Sequence, residues 1–212
     1  RRGRNARADY VGVTSHTSSY VELAVAAVEV ILLVGFAVPL WAKVVDKFPS
    51  EKEAQLMRIT AQQFAWSARY PGADGKFGKQ DIKLVTPSNP LGLLQLDEKL
   101  KAEDPDGQDD VNLPANTEIV VPVGKPVIAS ITSLDVIHSF KVFSLRVTQD
   151  AIPGMRIPIH FVATKTNTYQ INCAQLCGVG HSNMKGALKV VSLPEFDAWL
   201  KSKASAKPVS FE

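Results

Sequence analysis

Cysteine is scarce in this chain: Cys173 and Cys177 are its only two thiols in 212 residues. Two are too few for a disulfide framework, and a chain this long buries enough core not to need one. A strong excess of one charge is also lacking, with 24 Lys and Arg against 21 Asp and Glu and a formal net charge of +3. A nucleic-acid binder would need basic residues gathered on one folded face, so no nucleic-acid partner is expected. Internal repeats, long low-complexity tracts and the C-x2-C-H haem attachment motif are missing as well. The chain begins with Arg1 rather than Met, so a processed or truncated product with more sequence upstream is expected.

What charge there is falls unevenly. Arg1, Arg2, Arg4 and Arg7 crowd the start, and "DEKLKAEDPDGQDD" is dominated by acid. Between them, from Leu23 to Trp41, runs LAVAAVEVILLVGFAVPLW, apolar apart from Glu29. At about 1.5 Å of rise per residue, roughly 20 residues cross a hydrocarbon core of about 30 Å. The spacing predicts a membrane helix over residues 20–43, with residues 1–19 as its cytoplasmic Arg-rich flank by the positive-inside rule. No small-residue cleavage site follows, which argues against a signal peptide. Trp41 suits the outer interface. Everything past a linker at 44–55 is then exported to the outer, periplasmic side of a plasma membrane. A carboxylate such as Glu29 within a bilayer costs several kcal/mol unless neutral, paired or facing a wet cavity. Glu22 lies seven positions earlier, on nearly the same helix face. Either this face touches a proton route, or Glu29 is neutral and hydrogen-bonded to a neighbouring helix; both imply a membrane partner.

The exported part, residues 56–200, alternates strand-like runs with turns. "LMRITAQQFAWSARY", "TEIVVPVGKPVIASITS", "SFKVFSLRV", "RIPIHFVATKTNTYQINC" and "KGALKVVSL" are punctuated by Pro and Gly. Many short strands of this kind predict an all-β sandwich or barrel. Only "LPEFDAWLKSK" reads as a helix, with Phe196, Trp199 and Leu200 on one face. Residues 88–110 form a polar, acidic surface insertion, and 201–212 a C-terminal tail. Asp104, Asp106, Asp109 and Asp110 lack the ligand spacing of a calcium loop, so a solvated acidic loop is expected.

The stretch CAQLCGVGHSNM concentrates reactive side chains as Cys173-x3-Cys177-x3-His181-x2-Met184. A Cys173–Cys177 disulfide would staple a tiny loop and leave His181 and Met184 unexplained. Zinc would use both cysteines, His181 and a further histidine, but a thioether is a poor zinc ligand. Copper takes thiolate, imidazole and thioether together. A mononuclear blue-copper site needs one cysteine; two suggest a pair of copper ions bridged by two thiolates. A second histidine must then come from elsewhere, and His138 in "SLDVIHSF" is the candidate.

DVIHSF, QDAIPG and C-x3-C-G-x2-H-x2-M together resemble the dinuclear-copper (CuA) domain of cytochrome c oxidase subunit II, of a haem-copper terminal oxidase. The resemblance runs from the membrane helix to about residue 200. It implies a mainly β fold, a cupredoxin-like Greek-key β-barrel preceded by a membrane helix. A further helix upstream of Arg1 is usual in the family. It implies that Cys173 and Cys177 bridge two coppers, that His138 and Met184 are terminal ligands of one, and that His181 and the backbone carbonyl of Gln175 complete the other. The family often has Glu where Gln175 stands and uses it to hold magnesium against subunit I, so Gln175 puts that magnesium in doubt. "QQFAWSARYPG" resembles the family's aromatic segment, placing Phe64 where an electron-entry tryptophan is common, with Trp66 two residues on and expected to pack beneath the barrel. Glu22, after "HTSSYV", matches a glutamate at the mouth of a proton channel in subunit I. Glu29 stands where the family often has proline.

These resemblances imply a one-electron relay, not bond-making, from cytochrome c or a complex-bound haem donor to haem in subunit I, where oxygen is reduced and protons are moved. Subunit III is a further expected partner, and the departures in the aromatic segment and the long insertion point to a bacterial source. The rival functions are the CuA subunit of a nitric oxide reductase and a copper-delivery module. Nitrous oxide reductase carries the same loop without such a helix, and a quinol oxidase subunit lacks the two cysteines.

Overall fold

The computed structural model describes residues 14–204, with Gly3 and Gly12. Arg1, Arg2, Arg4 and Arg7, and the tail beyond Ala204, lie outside the described residues. The chain divides into two compact units, 1–47 and 48–212.

The first unit is a single helical run, Thr17–Asp46, long and apolar enough to cross a membrane and with no buried residues of its own. It begins as α1, Thr17–Leu32, and widens into a π-turn at Leu33–Ala37. It narrows again as α2, Val38–Trp41, and ends in a second π-turn, Ala42–Asp46. Pro39 accounts for the first widening. Proline has no N–H to donate four residues back, and its ring crowds the preceding turn. The helix accommodates this by letting the Val38 N–H reach five residues back, to the Leu33 carbonyl.

The second unit carries two five-stranded sheets. Its strands are β1 (Gln55–Gln62), β2 (Ala65–Tyr70), β3 (Val111–Leu113), β4 (Ile119–Pro122), β5 (Pro126–Ser133), β6 (His138–Val142), β7 (Val147–Ala151), β8 (Ile157–Val162), β9 (Asn167–Cys173) and β10 (Lys185–Val191). One sheet runs β3-β2-β1-β5-β8 and the other β4-β10-β9-β6-β7. Each holds one parallel pair, β1 with β5 and β4 with β10, amid antiparallel neighbours. A helix, α3 (Leu193–Ala204), follows β10 and sets Phe196 and Trp199 against Tyr70, with ring centroids 6.1 and 5.4 Å away.

Alternation explains the core. Met57, Ile59 and Ala61 of β1 and Trp66, Ala68 and Tyr70 of β2 join Phe140, Val142, Ile171, Leu188 and Val190 of the other sheet in one apolar cluster. In β2 the opposite face is buried too: Ser67 is 1% and Arg69 2% exposed. The segment between β2 and β3 covers it. Arg69 makes a fully buried ion pair with Asp110, which also accepts the Gly78 N–H at 2.9 Å. Burial pushes the Asp110 carboxyl above its ordinary range and the Arg69 guanidinium below its own, while their attraction works against both shifts. Asp104 is also buried and accepts the Lys79 N–H at 2.9 Å. Asp104 and Asp110 are therefore packed and bonded, against the solvated loop that the composition predicts, while Glu98 and Glu103 of the same segment remain exposed. The segment runs through short 3-10 turns at Leu94–Leu96, Lys101–Glu103 and Pro105–Gly107.

Candidate metal centre

Two loops at one end of the second sheet meet. The first, residues 134–137, leads into β6, whose first residue is His138. The second leaves β9 at Cys173 and returns into β10 after Met184. Strand pairing sets Cys173 opposite Phe140, two residues along β6 from His138. The Cys173 N–H donates to the Met184 carbonyl at 3.2 Å, and the Ala174 N–H to the Ser139 carbonyl at 2.9 Å. These two bonds close the cysteine loop at its base. Within it, the His181 N–H bonds to the Gly178 carbonyl and the Met184 N–H to that of His181, turning the chain through His181–Asn183.

The side chains converge. The Sγ atoms of Cys173 and Cys177 lie 3.8 Å apart, and both thiols are free. His138 Nδ1 is 3.9 Å from the Cys173 sulfur, and His181 Nδ1 is 3.6 Å from that of Cys177. The Met184 sulfur lies 3.8 Å from Cys177 Sγ. The Gln175 carbonyl oxygen approaches the Cys173 sulfur at 3.1 Å, while the Gln175 residue is otherwise exposed. The donor atoms of His138, Cys173 and Cys177 all fall within 4.8 Å of one another. His138, Met184 and both cysteines are buried, and His181 is half-buried.

This donor set fits a soft metal. The sulfur separation is less than twice a metal–thiolate bond of about 2.3 Å, so one ion can touch both thiolates. Two imidazoles, a thioether and a carbonyl surround them, which is the mixture that copper electron-transfer sites use. Burial, then the neighbouring Cys173, push the Cys177 thiol up to about 11. Without metal it is a neutral thiol at neutral pH, and a metal must displace its proton to bind.

A further layer holds the donors. His138 Nε2 lies 2.8 Å from Asp135 Oδ1, so Nδ1 is left facing the sulfurs. Asp135 also accepts N–H groups from Gln63 and Val136 at 2.7 Å each. Burial alone would raise its pKa, but the hydrogen bonds from His138, Gln63 and Val136 prevail and hold the carboxyl below its ordinary range. Trp66 meets the His138 ring edge-on at 6.2 Å, and Phe140 likewise at 5.4 Å.

Phe64 lies half-buried against the cysteine loop. A Cβ on Gly180 would sit 2.4 Å from its ring, and one on Gly178 3.2 Å away. Only glycine backbone lets the ring come this close. Trp66, 2% exposed, is inside the core. Glu22 and Glu29 are on α1, in the other unit. The roles of Asp135 and Gln63 are absent from the sequence reading. "DVIHSF" puts Asp135 three residues before His138, a reachable spacing, but nothing local signals Gln63.

The family described as cytochrome C oxidase subunit II, periplasmic domain, matches residues 55–191. The alternative cytochrome c oxidase subunit 2 of Bradyrhizobium diazoefficiens is 36% identical over 151 residues, covering 71% of this chain and 52% of that protein. Cytochrome c oxidase subunit 2 of Cereibacter sphaeroides is 32% identical over 145 residues, 68% of this chain and 48% of that protein. The chain thus spans about half the length of these curated relatives. Among solved structures, the periplasmic domain of subunit II of cytochrome oxidase from Bradyrhizobium japonicum superposes with a TM-score of 0.52 at 29% identity, covering 74% of this chain and 96% of that one. The expected cupredoxin-like fold is borne out, and the chain belongs to the cytochrome c oxidase subunit II family.

Proposed function

We propose that this chain is the electron-entry subunit of a membrane-bound haem-copper oxidase, with a dinuclear copper centre held by His138, Cys173, Gln175, Cys177, His181 and Met184. The observation that carries the proposal is the meeting of two thiols, two imidazoles, a thioether and a carbonyl in one pocket. Copper bound there would take up and release one electron at a time. The protein's part is to hold the donors still. The loop is closed at its base by strand pairing, and His138 is fixed from behind by Asp135. A rigid donor set changes little between oxidation states, which lowers the cost of each transfer.

Around the centre five apolar side chains reach the surface among polar ones. Leu134, Val136 and Ile137 on one loop and Leu176 and Val179 on the other are all exposed, Val179 fully. With Phe64 against the same loop, this rim is where a cytochrome donor would dock. The helix Thr17–Asp46 anchors the chain with its β-domain on the periplasmic side, and Glu22 sits where the helix enters the membrane beside subunit I. Subunit I carries the haems and reduces oxygen, and subunit III completes the complex. The family match favours this reading over a copper-delivery role, and Gln175 in place of a carboxylate puts a magnesium contact from that side chain in doubt.

Electron paramagnetic resonance of the purified, copper-loaded chain tests it. The expected result is a mixed-valence signal with about two coppers per chain. Cys177→Ser removes the signal, whereas Gln175→Ala keeps it, because only the backbone of Gln175 is used. A single-copper blue spectrum, or a silent zinc form, would overturn the proposal.

A further inference from the structure

The two ends of the cysteine loop are held differently. Cys173 is the last residue of β9. It is fixed by pairing with Phe140 and by the bonds from its own N–H and that of Ala174. Cys177 lies four residues beyond the strand, where no ladder reaches it. Its carbonyl instead accepts a hydrogen bond of 2.6 Å from Gln63 Nε2, at the turn between β1 and β2. The same residue donates its backbone N–H to Asp135 Oδ2 at 2.7 Å, and Asp135 Oδ1 holds His138 Nε2. The Leu134 N–H donates to the Ala61 carbonyl at 3.0 Å, fixing the histidine loop to the end of β1 just before that turn.

Resting on the copper reading above, we infer that Gln63 is a positioning residue that sets Cys177 and His138 relative to each other. One side chain and one backbone N–H join the two loops that carry the donors. The Gln63 amide nitrogen lies 2.9 Å from where a Cβ on Gly178 would stand, so the loop backbone packs directly on it. The separation of the two sulfurs is thus governed at one end by strand pairing and at the other by Gln63. A shift in Cys177 would change how evenly two bound ions share the thiolates, and so how evenly they would share an electron. Gln63 itself is not one of the donors.

Because Gln63 is exposed at a turn, replacing it leaves the core intact. Gln63→Met keeps length and volume but removes the donor. Gln63→Glu keeps the shape and turns an acceptor toward the Cys177 carbonyl. Both leave the backbone N–H in place. The full chain, purified in detergent and loaded with copper, is compared with each variant. The readouts are copper retention against a chelator, the copper hyperfine pattern, and the unfolding midpoint of the metal-free chain. Outer-shell partners of metal ligands are worth about 10–100-fold in affinity. Retention is expected to fall about tenfold in both variants and the hyperfine pattern to lose its even sharing, at an unchanged metal-free midpoint. If either folded variant matches the parent in retention and hyperfine pattern, the inference is wrong. Should Gln63→Met fail to fold, Gln63→Glu decides alone. A parent chain that gives no dinuclear signal would instead refute the copper reading on which the inference stands.

Discussion

Met184 is 1% exposed, and its sulfur sits 3.8 Å from that of Cys177. Under the proposed copper reading such a residue would serve two ends at once, filling core space and offering a weak donor. The two separate in Met184→Leu, a swap that nearly conserves volume and costs less than about 1.5 kcal/mol in a packed core. The metal-free variant is expected to unfold within a few degrees of the parent, yet its copper-loaded form should show an altered hyperfine pattern and potential, because leucine has no donor. An unaltered spectrum would mean that Met184 only packs. At this scale the sequence was informative where chemistry is local. The spacing of Cys173, Cys177, His181 and Met184 pointed to a soft-metal site, "SLDVIHSF" offered His138 and resemblance supplied the carbonyl of Gln175; the fold gathers these groups around the two sulfurs. Gln63 was illegible because its meaning lies in a contact 114 residues away along the chain. Asp135 was visible as a letter in a motif, but not as the group that aims His138.

Between elements, Tyr70 carries more than its ring. Its hydroxyl donates to the Val120 carbonyl at 2.8 Å and accepts the Val120 N–H at 3.1 Å. Tyr70 is on β2 and Val120 on β4, so one side chain ties the two sheets together with both backbone groups of a buried residue. Burial holds the phenol well above its ordinary range, so it remains a donor at any ordinary pH. Tyr70→Phe leaves a buried N–H and a buried carbonyl without this partner, at a cost on the order of 1–3 kcal/mol. At roughly 2–4 °C per kcal/mol for a domain of this size, the unfolding midpoint should drop measurably; an unshifted midpoint would show that the sheets do not need the tie. Element types were readable from alternation and turn residues, but pairing was not. "LMRITAQQFAWSARY" reads as one run and is in fact the β1–β2 hairpin, turned at Gln63 and Phe64. The three-residue β3 is too short to show a period. The buried Asp104 and Asp110 look like solvent residues until Arg69 and the Lys79 N–H are seen to meet them.

On the proposed reading of the chain as a membrane-anchored oxidase subunit, the position of Glu29 constrains the partner. The helix Thr17–Asp46 has 30 residues, about 45 Å at 1.5 Å each, enough for a hydrocarbon core of about 30 Å and its interfaces. Glu22 falls about 8 Å from the start of the helix and Glu29 about 18 Å. Centring the span on the core places Glu22 near the interface and Glu29 about 10 Å inside. A glutamate side chain is too short to bring its carboxyl back to the headgroups over that depth. It must be neutral or paired, and the described residues of the helix offer it no polar side chain within a turn on either side; Glu22, on nearly the same face, is about 10 Å away along the axis. If it is paired, the partner has to come from a neighbouring membrane helix, as a group able to donate a hydrogen bond to it or accept one from its protonated form. Interhelical bonds of this kind are worth about 0.6–2 kcal/mol, a factor of about 3–30 in association. Glu29→Gln keeps a donor and an acceptor without a charge and should copurify with the other oxidase subunits like the parent. Glu29→Leu makes the isolated helix more apolar, yet should weaken copurification in detergent by that factor. If Glu29→Leu copurifies as well as the parent, Glu29 faces lipid as a neutral acid and the stripe it shares with Glu22 is not the contact face. If Glu29→Gln copurifies normally but slows proton-coupled turnover, the carboxyl lies on the proton route as well as in the contact.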